Sequence, residues 1–126
     1  MQLVSVRVIT HDVARLVEFY ERATGLEARW RLADKFAEVV GPSCTLAIGS
    51  AETMTLFGAG AAVPESNRTA IIEFRVEDVD GEYERLTGLD VVPEIVQKPT
   101  TMPWGNRSLL FRDPDGNLIN FFAPPA

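Results

Sequence analysis

The chain has 126 residues, 46% of them apolar and 24% charged, which suits one globular domain rather than two independent ones. Its formal net charge of −6 comes with scattered basic residues and no basic stripe, which argues against nucleic-acid binding. No apolar run is long enough to span a bilayer, and a single cysteine suits a reducing compartment, so we expect a cytoplasmic protein with no membrane partner.

The first half of the chain predicts a strand, a helix and then further strands. Segment 6–13 begins as an alternating strand and reaches Asp12, which suits the N-cap of a helix. Apolar residues at helical spacing follow until Gly25, a predicted C-cap. The Gly-, Ala- and Pro-rich stretch 58–67 indicates a connector. The later strands of this half are predicted at 27–32, 35–40, 44–49 and 53–57.

The second half repeats this pattern 66 residues further on. Asp78 takes the place of Asp12, and Gly88 ends the second helix as Gly25 ends the first. Strands are then predicted at 91–96, 106–113 and 117–122, with a tight turn at "DPDG". Neither half can bury its sheet alone. We therefore predict an α+β fold in a single domain, with two tandem βαβββ modules that form a curved, cleft-lined mixed sheet. Module one covers about 1–57, the linker about 58–68 and module two about 69–126.

The stretches "HDVARLVEFYERATGL" and "PWGNRSLLFRDPDGNLINFF" resemble the vicinal oxygen chelate superfamily, which includes glyoxalases, bleomycin-resistance proteins and extradiol dioxygenases. The resemblance covers essentially the whole chain and implies the paired modules. Enzymes of that superfamily hold a divalent metal at four strand positions, usually with His or Glu. Because these positions carry poor ligands here and the chain has one histidine, we expect no metal and no cofactor. The matching positions are Ser5, Ala47 or Ile48, Ile71 and Asn120.

This departure makes the chain most similar to the metal-free bleomycin-resistance branch, whose members are homodimers that hold a drug between subunits. By that resemblance, Phe36 and Trp104 are expected to stack on the ligand, and the partners are a small molecule and a second copy of the chain. The implied function is metal-independent binding and sequestration of a small planar or aromatic molecule, such as an antibiotic. The acidic composition suits a cationic one.

Other residues are candidates for the same site. Glu38 lies on the strand face of Phe36, and Asn120 is a polar residue in line with apolar neighbours, so both are expected to make polar contacts. Trp30 either reaches the same cleft or packs in the core. Phe57, at the end of the predicted strand 53–57, is expected to contact a ligand or a second subunit. Arg107 either orients a carboxylate or phenolate or forms an ion pair.

Two alternatives remain open. No nucleophile lies near the single histidine in the sequence, so no catalytic residue is assigned. One alternative is nevertheless a divergent metalloenzyme of the same superfamily, a lyase, isomerase or oxygenase with a relocated metal. The other is a carrier or accessory protein in natural-product biosynthesis. Trp104 also has an alternative role, which is to cover the end of the sheet.

Overall fold

A computed structural model describes residues 1–126 and shows two compact units, Met1–Ser66 and Asn67–Ala126. Both units follow the order strand, helix, three strands, which confirms the predicted pair of βαβββ modules and the α+β class. Unit 1 contains β1 (Ser5–Thr10), α1 (Val13–Thr24), β2 (Ala28–Leu32), β3 (Phe36–Val40) and β4 (Thr45–Ser50). Unit 2 contains β5 (Ile71–Arg75), α2 (Val79–Thr87), β6 (Glu94–Thr101), β7 (Arg107–Arg112) and β8 (Leu118–Ala123).

The two sheets have the same topology. Strand order is β1-β4-β3-β2 in unit 1 and β5-β8-β7-β6 in unit 2. The first strand of each unit runs parallel to the last, while the other pairs are antiparallel. The first and last strands of each unit therefore lie side by side, which brings residues from distant parts of the sequence into direct register.

Both helices begin as the sequence predicts. The Asp12 carboxylate accepts a hydrogen bond from Arg15 N at 3.1 Å, and the Asp78 carboxylate accepts one from Gly81 N at 3.0 Å. Gly25 ends α1 in the left-handed conformation at φ 73°, whereas Gly88 ends α2 at φ −90°, so only the first helix needs glycine for its backbone angle. Neither helix is long and apolar enough to cross a membrane.

The prediction of a strand at 53–57 was wrong, because Ala51–Leu56 forms a 3-10 helix. Ser50 caps it through a hydrogen bond from Thr53 N, and the Thr53 hydroxyl donates to Ser50 O at 2.6 Å. These local side-chain bonds compete with a sheet ladder and favour the turn. Phe57 therefore ends a short helix instead of a strand.

The strand predicted at 91–96 also lies further along the chain, since β6 covers Glu94–Thr101. It is an edge strand, so Pro99 can interrupt its hydrogen bonding without breaking a central ladder. The pairing with β7 shifts register on both sides of Gln97, as expected for a bulged edge.

The turn between β7 and β8 is held by a buried polar network. Asp113 Oδ1 accepts hydrogen bonds from the backbone N–H groups of Asp115 and Asn117, both at 2.9 Å. The Asn117 amide donates to Asp113 Oδ2 at 2.7 Å, and Asn67 Nδ2 donates to Asn117 Oδ1 at 3.2 Å. This network fixes the start of β8 and thereby the register that positions Asn120.

Candidate ligand-binding site

In each unit the helix packs on one face of the sheet, α1 against β3 and β4 and α2 against β6, β7 and β8. We call the opposite side the helix-free face. Side chains alternate along a strand and residues paired across strands share a face, so the registers assign each residue. The helix-free face of unit 1 carries Arg7, Phe36, Glu38, Ala47 and Gly49, and that of unit 2 carries Glu73, Arg75, Ser108, Leu110 and Asn120.

Asn120 forms the central polar pair of unit 2. It lies directly opposite Glu73, and its Nδ2 donates a hydrogen bond to Glu73 Oε2 at 2.9 Å. The side chain is buried, with 9% of the residue exposed, and its Oδ1 accepts no hydrogen bond from the protein. Leaving such a buried acceptor without a donor costs roughly 1–3 kcal/mol, so a donor from a ligand or a water molecule would stabilise it.

The Phe36 ring contacts the guanidinium group of Arg7. The Arg7 guanidinium carbon is 4.3 Å from the centre of the Phe36 ring and 5.3 Å from the centre of the Phe57 ring. Both distances are within the range of cation–π attraction. The ring predicted to stack on a cationic ligand thus already contacts a cation, and Phe57 belongs to the same cluster.

Glu38 is on the helix-free face beside Phe36, as predicted, but its carboxylate is paired. It accepts a hydrogen bond from Arg31 Nε and forms a salt bridge with that guanidinium. The Glu38 side chain is 25% exposed and that of Arg31 is 51% exposed. Glu38 can therefore meet a ligand only together with, or in exchange with, Arg31.

Trp104 is presented by a tight turn between β6 and β7. Gly105 N donates to Met102 O at 2.8 Å, and Met102 N donates to Asn106 O at 2.7 Å. Pro103 stands at the second turn position, which its fixed φ favours. Trp104 is 70% exposed as a residue, so in the isolated chain it does not serve as a cover for the sheet. An exposed flat ring held by a rigid turn is suited to stacking.

Trp30 lies on the opposite face of its sheet from Phe36. The register pairs it with Ala37, which is fully buried on the helix-covered side, whereas Phe36 and Glu38 point the other way. Of the two alternatives for Trp30, this register does not support a place on the same face as Phe36. Because β2 is an edge strand, Trp30 stays 44% exposed at the rim of the sheet.

Arg107 forms an ion pair, which is one of the two roles predicted for it. Its Nε donates to Asp80 Oδ2 at 2.7 Å and its second terminal nitrogen donates to Asp80 Oδ1 at 2.8 Å, which ties β7 to α2. The hydrogen bond from Arg107 holds the pKa of the Asp80 carboxyl below its ordinary value and raises the pKa of Arg107. Arg107 thus lies on the helix side of the sheet, away from the pair of Glu73 and Asn120.

The residues at the superfamily's metal positions do not fit a divalent ion. Ala47 and Ile71 offer no ligand atom, and the amide of Asn120 is already bonded to Glu73. Neither unit brings together three His, Cys, Asp or Glu side chains. Hard cations prefer several charged oxygens, and transition metals prefer imidazole or thiolate. The residues at these positions therefore do not suit either kind of metal ion.

Two surface concavities are found in unit 1, and neither contains a candidate residue. One lies at the chain's beginning, near the turn 41–44, and the other lies at the first residues of β2. We therefore identify the candidate site by the chemistry of its side chains. No deep cavity within one unit marks it.

Arg7 and Glu73 are not among the ligand-binding residues predicted from the sequence. The 66-residue shift that matches Asp12 with Asp78 also matches Arg7 with Glu73. Each is the third residue of the first strand of its unit, and each lies opposite a residue of the unit's last strand, Ala47 and Asn120 respectively. The repeat was thus the signal that could have identified them, since it places a charged residue at the same position twice.

Residues 2–121 match the sequence profile of the family described as the Glyoxalase/Bleomycin resistance protein/Dioxygenase superfamily. The uncharacterized protein YraH of Bacillus subtilis (strain 168) is 32% identical over 127 residues, which covers 97% of this chain and 98% of that protein.

Solved structures show the same architecture. A glyoxalase/bleomycin resistance protein/dioxygenase from Nocardioides is similar with a TM-score of 0.79 and 28% identity, over 99% of this chain and 84% of that one. A family enzyme from Burkholderia phytofirmans PsJN has a TM-score of 0.84 at 15% identity, over 98% of both chains. At 15% identity the likeness shows the fold alone.

Proposed function

The chain belongs to the glyoxalase/bleomycin resistance protein/dioxygenase superfamily, and from this premise we propose that it binds and sequesters a small planar or aromatic molecule without a metal ion. The observation that carries the proposal is the buried Oδ1 of Asn120, which accepts no hydrogen bond from the protein. A ligand N–H or O–H group supplies the missing donor and recovers the free energy that the unpaired acceptor costs.

The Asn120 amide has a defined orientation for this role. Its nitrogen faces the Glu73 carboxylate, which accepts hydrogen bonds when ionised, so the amide oxygen is the atom left for a ligand. Glu73 is itself exposed and offers a second acceptor beside the first. The pair therefore favours a ligand edge that carries two adjacent donors, such as an amide or an amino-substituted heterocycle.

Each unit has an aromatic side chain on which a flat ligand can stack. Trp104 is exposed on its turn, and Phe36 is half-buried on the helix-free face of unit 1. Large rings with few rotatable bonds lose little entropy when they stack, and sites of this kind combine apolar area with a few polar anchors. Equilibrium binding of this type needs no catalytic side chain. The sequestration of an antibiotic is one example of such binding.

The assembly in this proposal is a homodimer in the cytoplasm. Exposed apolar side chains on the edge strand β1 and just before it support self-association, since such patches mark interaction surfaces. Size-exclusion chromatography with light scattering should give twice the mass of the 13.9 kDa chain. A monomer at micromolar concentration would contradict this part of the proposal. The apolar residues concerned are Leu3, Val4 and Val6.

The test is a thermal-shift screen of the purified protein against flat antibiotics, quinones and amino-substituted heterocycles. A ligand that binds only the folded state raises the melting temperature, by an amount equivalent to about 2.7 kcal/mol at one hundred times its Kd. Elemental analysis before and after incubation with nickel, zinc, manganese and iron separates this function from the metalloenzyme alternative. One tightly held metal ion per chain would overturn the proposal.

A further inference from the structure

We infer that the helix-free face of unit 1 recognises an anionic group, a carboxylate or phenolate, on the planar ligand, with Arg7 as the anchor. This inference rests on the proposed function, because it assigns a charge to the kind of planar ligand proposed there, and it concerns the contacts that unit 1 makes. It also reverses the expectation, drawn from the acidic composition, that a cationic ligand is preferred.

The first step is the state of the Arg7 side chain. Several arginines of this chain pair with a carboxylate, among them Arg31 with Glu38 and Arg107 with Asp80. The guanidinium of Arg7 instead contacts only the rings of Phe36 and Phe57. Stacking occupies the flat faces of a guanidinium and leaves its N–H groups, which lie in the plane, available as donors. Arg7 is thus oriented by the protein without being neutralised.

The second step is the surface beside it. Arg7 lies opposite Ala47, and Phe36 lies opposite Gly49, so the central strand β4 presents two small residues between the flanking side chains. A methyl group at Gly49 would lie 3.2 Å from Thr53 Oγ1, which is tight, and 3.6 Å from Arg7 Cδ, which is ordinary contact, so the arginine stem packs directly along this position. Both small residues are buried, while Arg7 itself is exposed.

The third step is the nearest acid on this face. Glu38 lies opposite Ala47 on the far side of β4, two strands from Arg7, which is roughly 10 Å away. It is held by Arg31 from the outer strand and does not reach Arg7. An anion that meets the exposed guanidinium edge of Arg7 displaces no internal partner. A flat acid suits Arg7, because its carboxylate matches the planar fork of the guanidinium.

The test uses matched triplets of flat probes: 2-naphthoate and anthracene-2-carboxylate, each with its methyl ester, which has no N–H donor for Asn120, and its aminomethyl analogue. Kd is measured by isothermal titration calorimetry on the full chain at pH 7.5, where the acids are ionised and the amines are protonated. We expect each acid to bind at least about tenfold more tightly than its ester or its cation. Arg7→Gln should abolish that difference, and Arg7→Lys, which keeps the charge but lacks the fork, should retain part of it.

Phe57→Leu is the matched control, because it removes one exposed ring and leaves the charge of Arg7 in place. It should weaken binding of the acids less than Arg7→Gln does. Unfolding curves for each variant show whether it is folded, and Arg7→Lys answers the question if Arg7→Gln does not fold. Equal or tighter binding of the esters or cations overturns the anion inference and leaves the proposed function standing. Persistence of the acid preference in Arg7→Gln also overturns it. Binding of none of the probes contradicts both the proposed function for flat arenes and the inference.

Discussion

Glu73 and Asn120 lie directly opposite each other on β5 and β8, and Asn120 donates its amide N–H to the Glu73 carboxylate at 2.9 Å while its own Oδ1 is buried without a donor. One half of the amide is therefore satisfied by the protein and the other half is not. An apolar residue of similar size would avoid the cost of the unpaired acceptor. If Asn120 serves ligand binding, its replacement by an apolar residue should weaken binding but not stability. If Asn120 serves stability, the same replacement should lower stability but not binding.

Asn120→Leu should keep or raise the free energy of unfolding, because it removes a buried unpaired acceptor worth roughly 1–3 kcal/mol and releases Glu73 to solvent. The same change should abolish the melting-temperature shift caused by any ligand found in the screen. Urea denaturation and thermal shift measure the two effects separately. A loss of more than about 2 kcal/mol in stability together with unchanged ligand binding would show that Asn120 is structural.

Asn120→Asp should place two carboxylates side by side and destabilise the fold at pH 7 by roughly 1 kcal/mol or more. Like-charge repulsion raises the pKa of the introduced carboxyl in the folded state, so the deficit is largest above that pKa. As the pH falls through it, the group is protonated and the deficit disappears. Urea denaturation of both proteins between pH 7.5 and pH 4.5 measures this convergence. A deficit that stays constant over that range would contradict the close contact with Glu73.

Trp104→Ala should leave stability within about 0.5 kcal/mol of the parent protein, because Trp104 is 70% exposed, yet it should remove most of the ligand binding. Trp30→Phe is the matched control, since Trp30 lies on the other face of its sheet and at its edge. That variant leaves Trp104 as the single tryptophan, so fluorescence quenching on ligand addition reports on it directly. Normal binding by Trp104→Ala would remove Trp104 from the site.

Much of the fold could be predicted from the sequence because its signals are local and occur twice. The N-caps Asp12 and Asp78 and the turn at "DPDG" each specify their own geometry through hydrogen bonds to nearby backbone groups. The error at 53–57 had the same local origin. The apolar residues there suited a strand, but the hydroxyl of Thr53 and the side chain of Ser50 stabilised a 3-10 turn.

The site was harder to predict because it depends on register across strands. Asn120 could be singled out by its place in the repeat, but its partner Glu73 is 47 residues away and is defined only by the parallel pairing of β5 with β8. The face of Trp30 depends likewise on its pairing with Ala37. Arg7 contacts Phe36 across β4, because β1 and β3 are not neighbours in the sheet. The alternation of side chains within one strand gives no information on such a contact.

Gly105→Ala should destabilise the protein and displace the turn that carries Trp104. Gly105 has φ 99°, and a methyl group there would lie 2.7 Å from Pro125 Cγ, so the change adds a collision to the strain of a left-handed backbone. Gly60→Ala is the matched control, since Gly60 has φ 79° with nothing within 4 Å. The control should cost about 1 kcal/mol from strain alone, and Gly105→Ala should cost more. Equal losses would show that Pro125 moves aside freely.

Asp80→Asn should lower stability slightly at neutral pH, and the difference from the parent protein should shrink in acid. The hydrogen bond from Arg107 lowers the pKa of Asp80 below its ordinary value of 3.8, so the pair stabilises the folded state fully above that value. The contribution is lost as the pH falls through the lowered pKa. Glu82→Gln is the control, because Glu82 is also in the first turn of α2 but pairs within the helix with Arg85. Urea denaturation at pH 7, 5 and 3 should show a difference between Asp80→Asn and the parent that holds at pH 7 and 5 and narrows at pH 3. A difference that grows on acidification would contradict the ion pair between Asp80 and Arg107.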